Sequence, residues 1–199
     1  MSKIPIALIY SRIAIAVFLL ASFQSFNGYG LLAVILLAIG VLSDIFDGII
    51  ARKLNISTQQ LRRLDSTADQ IFWVLTAAAL FIHYPQFLFG NYIQLTILFA
   101  AEGLAYIVSY ARFKKEVATH AISSKIWTLI LFFTIAEVFL TGKSNVLFQI
   151  CFYTGLLTHL EIIAILLTIK SWTNDVPSLY HAFLLRKGKS IKRNKLFNG

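Results

Sequence analysis

Apolar residues fall in six runs, 4–23, 31–51, 64–83, 88–111, 122–140 and 146–169, with short polar segments between them. Each run is close to the ~20 residues that a helix needs to cross a bilayer. Backbone polar groups find no water at that depth, so a helix that satisfies them internally is expected of every run. The pattern predicts an all-α integral membrane protein, a six-transmembrane-helix bundle over residues 1–170. Pro5 suits the first turn of the first helix. That run carries Arg12 and leads straight into the next, so it reads as mature structure rather than a cleaved leader.

Composition strengthens the picture: 58% of the residues are hydrophobic and the mean hydropathy is +0.74, values of a multi-pass protein rather than a soluble domain. The net charge of +9 could point to nucleic acid, but the placement of the basic residues argues otherwise. Arg52, Lys53, Arg62, Arg63, Arg112, Lys114 and Lys115 follow the second and fourth runs, Lys125 opens the fifth, and the tail holds Arg186, Lys187, Lys189, Lys192, Arg193 and Lys195. Segments 21–30 and 84–90 have no lysine or arginine, and the loop after the fifth run has only Lys143. This asymmetry places both termini and the hairpin 53–64 in the cytoplasm. The basic surplus then serves topology and anionic membrane lipids, with no nucleic-acid partner. Residues 171–199 are expected to form a basic cytoplasmic segment, a short interfacial helix near 175–185 and then a flexible tail. Cys151 is the only cysteine, which excludes an intramolecular disulfide and a thiolate metal cluster.

Chemistry concentrates in residues 44–69. Four of the nine acidic residues, Asp44, Asp47, Asp65 and Asp69, lie there although both flanks are apolar. On one helix Asp44 and Asp47 share a face with Gly48 and Ala51, and Asp65 and Asp69 share a face on the next. Antiparallel helices joined by the polar hairpin would bring the two pairs together. Four carboxylates at that range repel strongly in a low dielectric unless protons or cations intervene. Hard oxygen donors in this number suit one or two Mg2+ or Mn2+ ions that keep positions open for phosphates. Gly48 and Ala51 leave room for close approach of a ligand or of a helix, and Arg52 suits a pyrophosphate or balances the local charge.

The spacing Asp44-x2-Asp47-Gly48-x2-Ala51-Arg52, followed by Asp65-x3-Asp69, closely resembles the signature of the CDP-alcohol phosphatidyltransferases. Leu61 stands where that family carries a second glycine. The resemblance implies transfer of a phosphatidyl group from CDP-diacylglycerol to a small alcohol with release of CMP, as a step of phospholipid biosynthesis at the cytoplasmic face. It implies two metal ions, one on Asp44, Asp47 and Asp65 and one on Asp44, Asp65 and Asp69. Gly48, Ala51, Arg52 and Thr58 would flank the CDP group, and Asp69 would take the proton from the acceptor hydroxyl. Relatives that use phosphorylated acceptors carry basic residues near the fifth helix, so Arg112 and Lys125 are candidates for an acceptor phosphate, with glycerol 3-phosphate the first acceptor expected. Members are often homodimers. The residues alone leave a divalent-cation transporter and a catalytically silent scaffold open.

Other polar positions carry two readings each. Arg12 faces the bundle interior or the substrate pocket, as a phosphate contact or as a snorkelling or salt-bridged arginine near the interface. Thr58 is a nucleotide contact or a helix cap. Glu102 touches substrate or bonds a neighbouring helix. His120, Ser123, Ser124 and Lys125 form an anion site or a capped helix start. Glu137, His159 and Glu161 read as interhelical hydrogen-bonding groups, and nothing near His159 completes a metal site.

Overall fold

Residues 4–21, 29–53, 58–119 and 121–191 are described by the computed structural model, and among them the chain forms helices and no strand. The order is α1 (Ile4–Ala21), α2 (Tyr29–Lys53), α3 (Gln59–His83), α4 (Pro85–Gly90), α5 (Tyr92–Phe113), α6 (Ile122–Thr141), α7 (Val146–Thr168) and α8 (Leu179–Arg186). Four segments are long and apolar enough to cross a membrane: Tyr29–Ile50, Tyr92–Phe113, Ile122–Thr141 and Val146–Thr168. The apolar part of α1, Pro5–Ala21, is shorter. Helix α3 spans 25 residues, but its first turns hold Gln59, Gln60, Arg62, Arg63, Asp65 and Asp69. Of the six expected spans, the first is described over Ile4–Ala21 and the third opens on polar turns.

Two compact units divide the chain, residues 1–90 with 132–144 and residues 91–131 with 145–199. In the first, α1 packs on both α2 and α3. Its buried stripe is Ile9, Arg12, Ala16 and Leu19, each at most 1% exposed, one face of a 3.6-residue period. Helix α2 contributes Ala33, Leu37 and Asp47, and α3 contributes Ala68, Phe72, Thr76 and Ala79. Small residues let these backbones approach closely. A Cβ on Gly40 would overlap the ring of Phe72, and one on Gly30 would overlap the Phe139 carbonyl. At the end of the helices away from the aspartates, Tyr84 Oη donates to Phe139 O at 2.7 Å and Tyr29 Oη to Leu19 O at 3.1 Å. Arg12 and the aspartates are the charged members of these stripes, whose other buried polar residues, Ser43 and Thr76, bond carbonyls of their own helices.

In the second unit α5 packs along α7. Gly155 sits against Trp127 and Leu98, and Trp127 Nε1 donates to Cys151 O at 3.0 Å. Ile165, Ile169, Val176, Ala182 and Ala121 form a buried cluster that seats α8 on the end of α7. Glu161 Oε1 accepts the Leu179 N–H that opens α8, at 3.1 Å. Helix α8 thus stands at Leu179–Arg186, within and just past the segment 175–185 where a short helix is expected; the tail beyond 191 lies outside the described residues. The run 88–111 is interrupted, because α4 ends at Gly90 and α5 begins at Tyr92. Continuous hydrophobicity concealed that turn.

Candidate functional site

Arg12 is the centre of the aspartate cluster. It projects from the buried stripe of α1, is 0% exposed, and meets all four carboxylates. Nη1 lies 2.9 Å from Asp44 Oδ1 and 2.8 Å from Asp69 Oδ1. Nη2 contacts Asp47 Oδ2 and lies 3.1 Å from Asp65 Oδ1. Each terminal nitrogen thus joins one carboxylate of α2 to one of α3, so the antiparallel pair sets Asp44 opposite Asp69 and Asp47 opposite Asp65. A planar fork of donors makes that double bridge; an ammonium could not. The inward position sets aside the snorkelling reading.

Accessibility is graded across the cluster. Asp47 is 2% exposed, whereas the side chains of Asp44, Asp65 and Asp69 are 35%, 34% and 40% exposed. Arg12 and Asp47 make a closed floor, and the other three form a rim that a ligand can reach. Among the described side chains one guanidinium faces four carboxylates, and carboxylates gathered this closely favour further cations or protons. One oxygen from each of Asp44, Asp47 and Asp65 lies within 4.8 Å of the others. Three convergent hard oxygens with an open side fit a divalent cation of the Mg2+ or Mn2+ class.

The remaining expected residues are placed as follows. Gly48 is half-buried on α2, one position beyond Asp47. The backbones of Ala51 and Arg52 continue that helix, but their side chains lie outside the described residues, as do 54–57 and His120. Thr58 is exposed and caps α3: its Oγ1 accepts the Leu61 N–H at 3.2 Å. The cap therefore engages the position at which the signature carries glycine. Arg112 and Lys125 belong to the second unit. Arg112 donates to Leu167 O at 2.5 Å and Ile169 O at 3.1 Å, closing the end of α7, and Lys125 is exposed. Glu102 is exposed on α5. Glu137 accepts from Ser144 Oγ at 2.5 Å, and His159 bonds Gly155 O at 2.7 Å beneath Trp127; both act within the helix packing. The role that spacing could not assign is Arg12's. Its signal was an arginine on the same helical stripe as Ile9, Ala16 and Leu19, inside an otherwise uncharged run.

The family model for CDP-alcohol phosphatidyltransferase matches residues 2–174. A protein of Aquifex aeolicus (strain VF5), named only as uncharacterized, is 37% identical over 86 residues, which are 43% of this chain and 43% of that protein. The chain thus matches less than half the length of that relative. No solved structure matches.

Proposed function

The chain belongs to the CDP-alcohol phosphatidyltransferase family, and from that premise we propose that it moves a phosphatidyl group from CDP-diacylglycerol to a small alcohol and releases CMP. The observation that carries this reading is the convergence of Asp44 and Asp47 with Asp65 and Asp69 around one point, closed below and open at the rim. In the reaction the acceptor oxygen bonds to the lipid-bearing phosphorus, the phosphorus–oxygen bond to CMP breaks, and the hydroxyl proton passes to Asp69. Asp69 has the most exposed of the four side chains, at 40%, where an acceptor can meet it. Two divalent cations, one held by Asp44, Asp47 and Asp65 and the other by Asp44, Asp65 and Asp69, would neutralise the pyrophosphate and favour the departure of CMP.

Gly48, Ala51, Arg52 and Thr58 flank the CDP group in this reading, with Arg52 facing the pyrophosphate. Arg112 and Lys125 are assigned to an acceptor phosphate, which makes glycerol 3-phosphate the first acceptor to try. The aspartates lie toward the C-terminal end of α2 and the N-terminal part of α3, an end-on placement that suits a nucleotide arriving from the cytoplasm while acyl chains stay in the bilayer. An ion path would call for carboxylates at mid-depth or in rings.

Purified protein supplied with CDP-diacylglycerol, Mn2+ and a panel of alcohols tests the proposal. CMP release that stops on chelation, and that Asp69→Asn lowers about 10³-fold as expected for loss of a general base, is the predicted result. Passage of Mn2+ into vesicles without CMP release would replace the enzyme with a carrier. Neither activity would leave a silent scaffold.

A further inference from the structure

Arg12 has a place in the site that the transfer reaction does not use. A buried arginine is expensive unless its partners repay the lost hydration, and this one has four carboxylate partners while its Nε is buried with no hydrogen-bond partner. The side chain is therefore held by its two terminal nitrogens, through the same groups that would bind divalent ions. Asp44, Asp47 and Asp65, whose oxygens converge within 4.8 Å, each bind Arg12.

We infer that Arg12 is a tethered counter-cation that keeps the four aspartates together in the metal-free protein and competes with divalent ions for their oxygens. This rests on the reading of those aspartates as metal ligands. One guanidinium against four carboxylates holds the cluster without taking up every carboxylate oxygen, so incoming ions still find acceptors there. Each ion that binds takes oxygens from Arg12. The protein thus avoids bare like-charge repulsion between α2 and α3 before metal arrives, and its metal affinity is set lower than four free carboxylates would give.

A merely structural cross-link predicts the opposite sign. Without Arg12 the carboxylates would spread and bind metal more weakly, whereas relief from competition tightens binding. Mn2+ titration of detergent-purified wild type and Arg12→Gln, read from the resonance of free Mn2+, separates the two. Competition predicts binding about tenfold tighter in Arg12→Gln, a lower melting temperature without metal, and a larger rise in that temperature at saturating Mn2+. Equal or weaker binding overturns the inference. Should Arg12→Gln fail to fold, Arg12→Lys is read in the same way: a single ammonium cannot bridge both pairs, so tightening of a few-fold is expected, and unchanged or weaker binding again overturns it. If wild type binds Mn2+ and releases CMP but the variants bind no more tightly, only the role of Arg12 falls. If wild type binds no Mn2+, the metal reading falls with it.

Discussion

Asp65 supplies one of four negative charges gathered on a single guanidinium, and its side chain is 34% exposed. Replacing it with asparagine removes repulsion from three neighbours at the expense of one 3.1 Å bond to Arg12, which keeps its other three partners. Where repulsion among the four carboxylates outweighs that bond, Asp65→Asn should stabilise the metal-free protein, by about 0.5–1 kcal/mol after allowance for solvent screening. The same change removes a proposed ligand of both ions and should reduce CMP release at least about 100-fold. Thermal melting in chelator alongside the CMP assay checks this, and a lower melting temperature would show Asp65 to be needed chiefly as a partner of Arg12. The four aspartates could be read from their spacing because helical periodicity alone puts 44 with 47 and 65 with 69. Arg12 could be placed facing inward but not among them, since its contacts with residues on two other helices depend on how α1 is seated. Thr58 shows the complementary limit: a hydroxyl before a helix is a cap and a ligand candidate by the same chemistry, and only its bond to the Leu61 N–H shows that the cap is made.

At the scale of elements, the site depends on how closely α2 and α3 approach. Gly40 permits that approach, because a side chain there meets Phe72, itself 1% exposed and unable to retreat. Gly40→Val should cost about 1–3 kcal/mol through overpacking. It should also lower CMP release at least about tenfold by displacing the Asp65 and Asp69 pair from the Asp44 and Asp47 pair. Gly103→Ala is the control: nothing lies within 4 Å of a Cβ at that position inside α5, so turnover should stay unchanged and the melting temperature should hold or rise slightly. Equal effects of the two substitutions would remove the packing argument. The helices that carry the aspartates were legible almost to their ends, since the run 31–51 and its extension to Arg52 became Tyr29–Lys53, and 64–83 lengthened backward to Gln59–His83. Polar first turns hid that extension, because hydrophobicity marks where a helix is apolar and not where its hydrogen bonding starts. The turn after Gly90 escaped for the converse reason: Phe87, Leu88, Phe89, Tyr92 and Ile93 on either side are all large and apolar.

For the whole molecule, catalysis and membrane insertion make opposing demands. Of the four helices that qualify as spans by length and composition, α5, α6 and α7 carry none of the four aspartates and α2 carries Asp44 and Asp47 toward one end, while α1 holds Arg12 and the first turns of α3 hold Asp65 and Asp69. Those two are seated against each other and hide their charge in mutual ion pairs, a route by which a weakly apolar helix can still cross. If both cross, the chain has six spans, the basic loops and tail face the cytoplasm, and the segment after His83 faces outward. Cysteine labelling decides this. Cys151 is 2% exposed and can be removed as Cys151→Ala, after which Gln86→Cys and Ser190→Cys each offer a thiol at an exposed position without altering a charge. An impermeant maleimide added to intact cells should label Gln86→Cys and spare Ser190→Cys, and inverted membrane vesicles should reverse the pattern. Labelling of Ser190→Cys from outside would place the tail opposite to the proposed nucleotide side. Labelling of both from one side would mean an even number of crossings between residues 86 and 190, against the three expected of α5, α6 and α7.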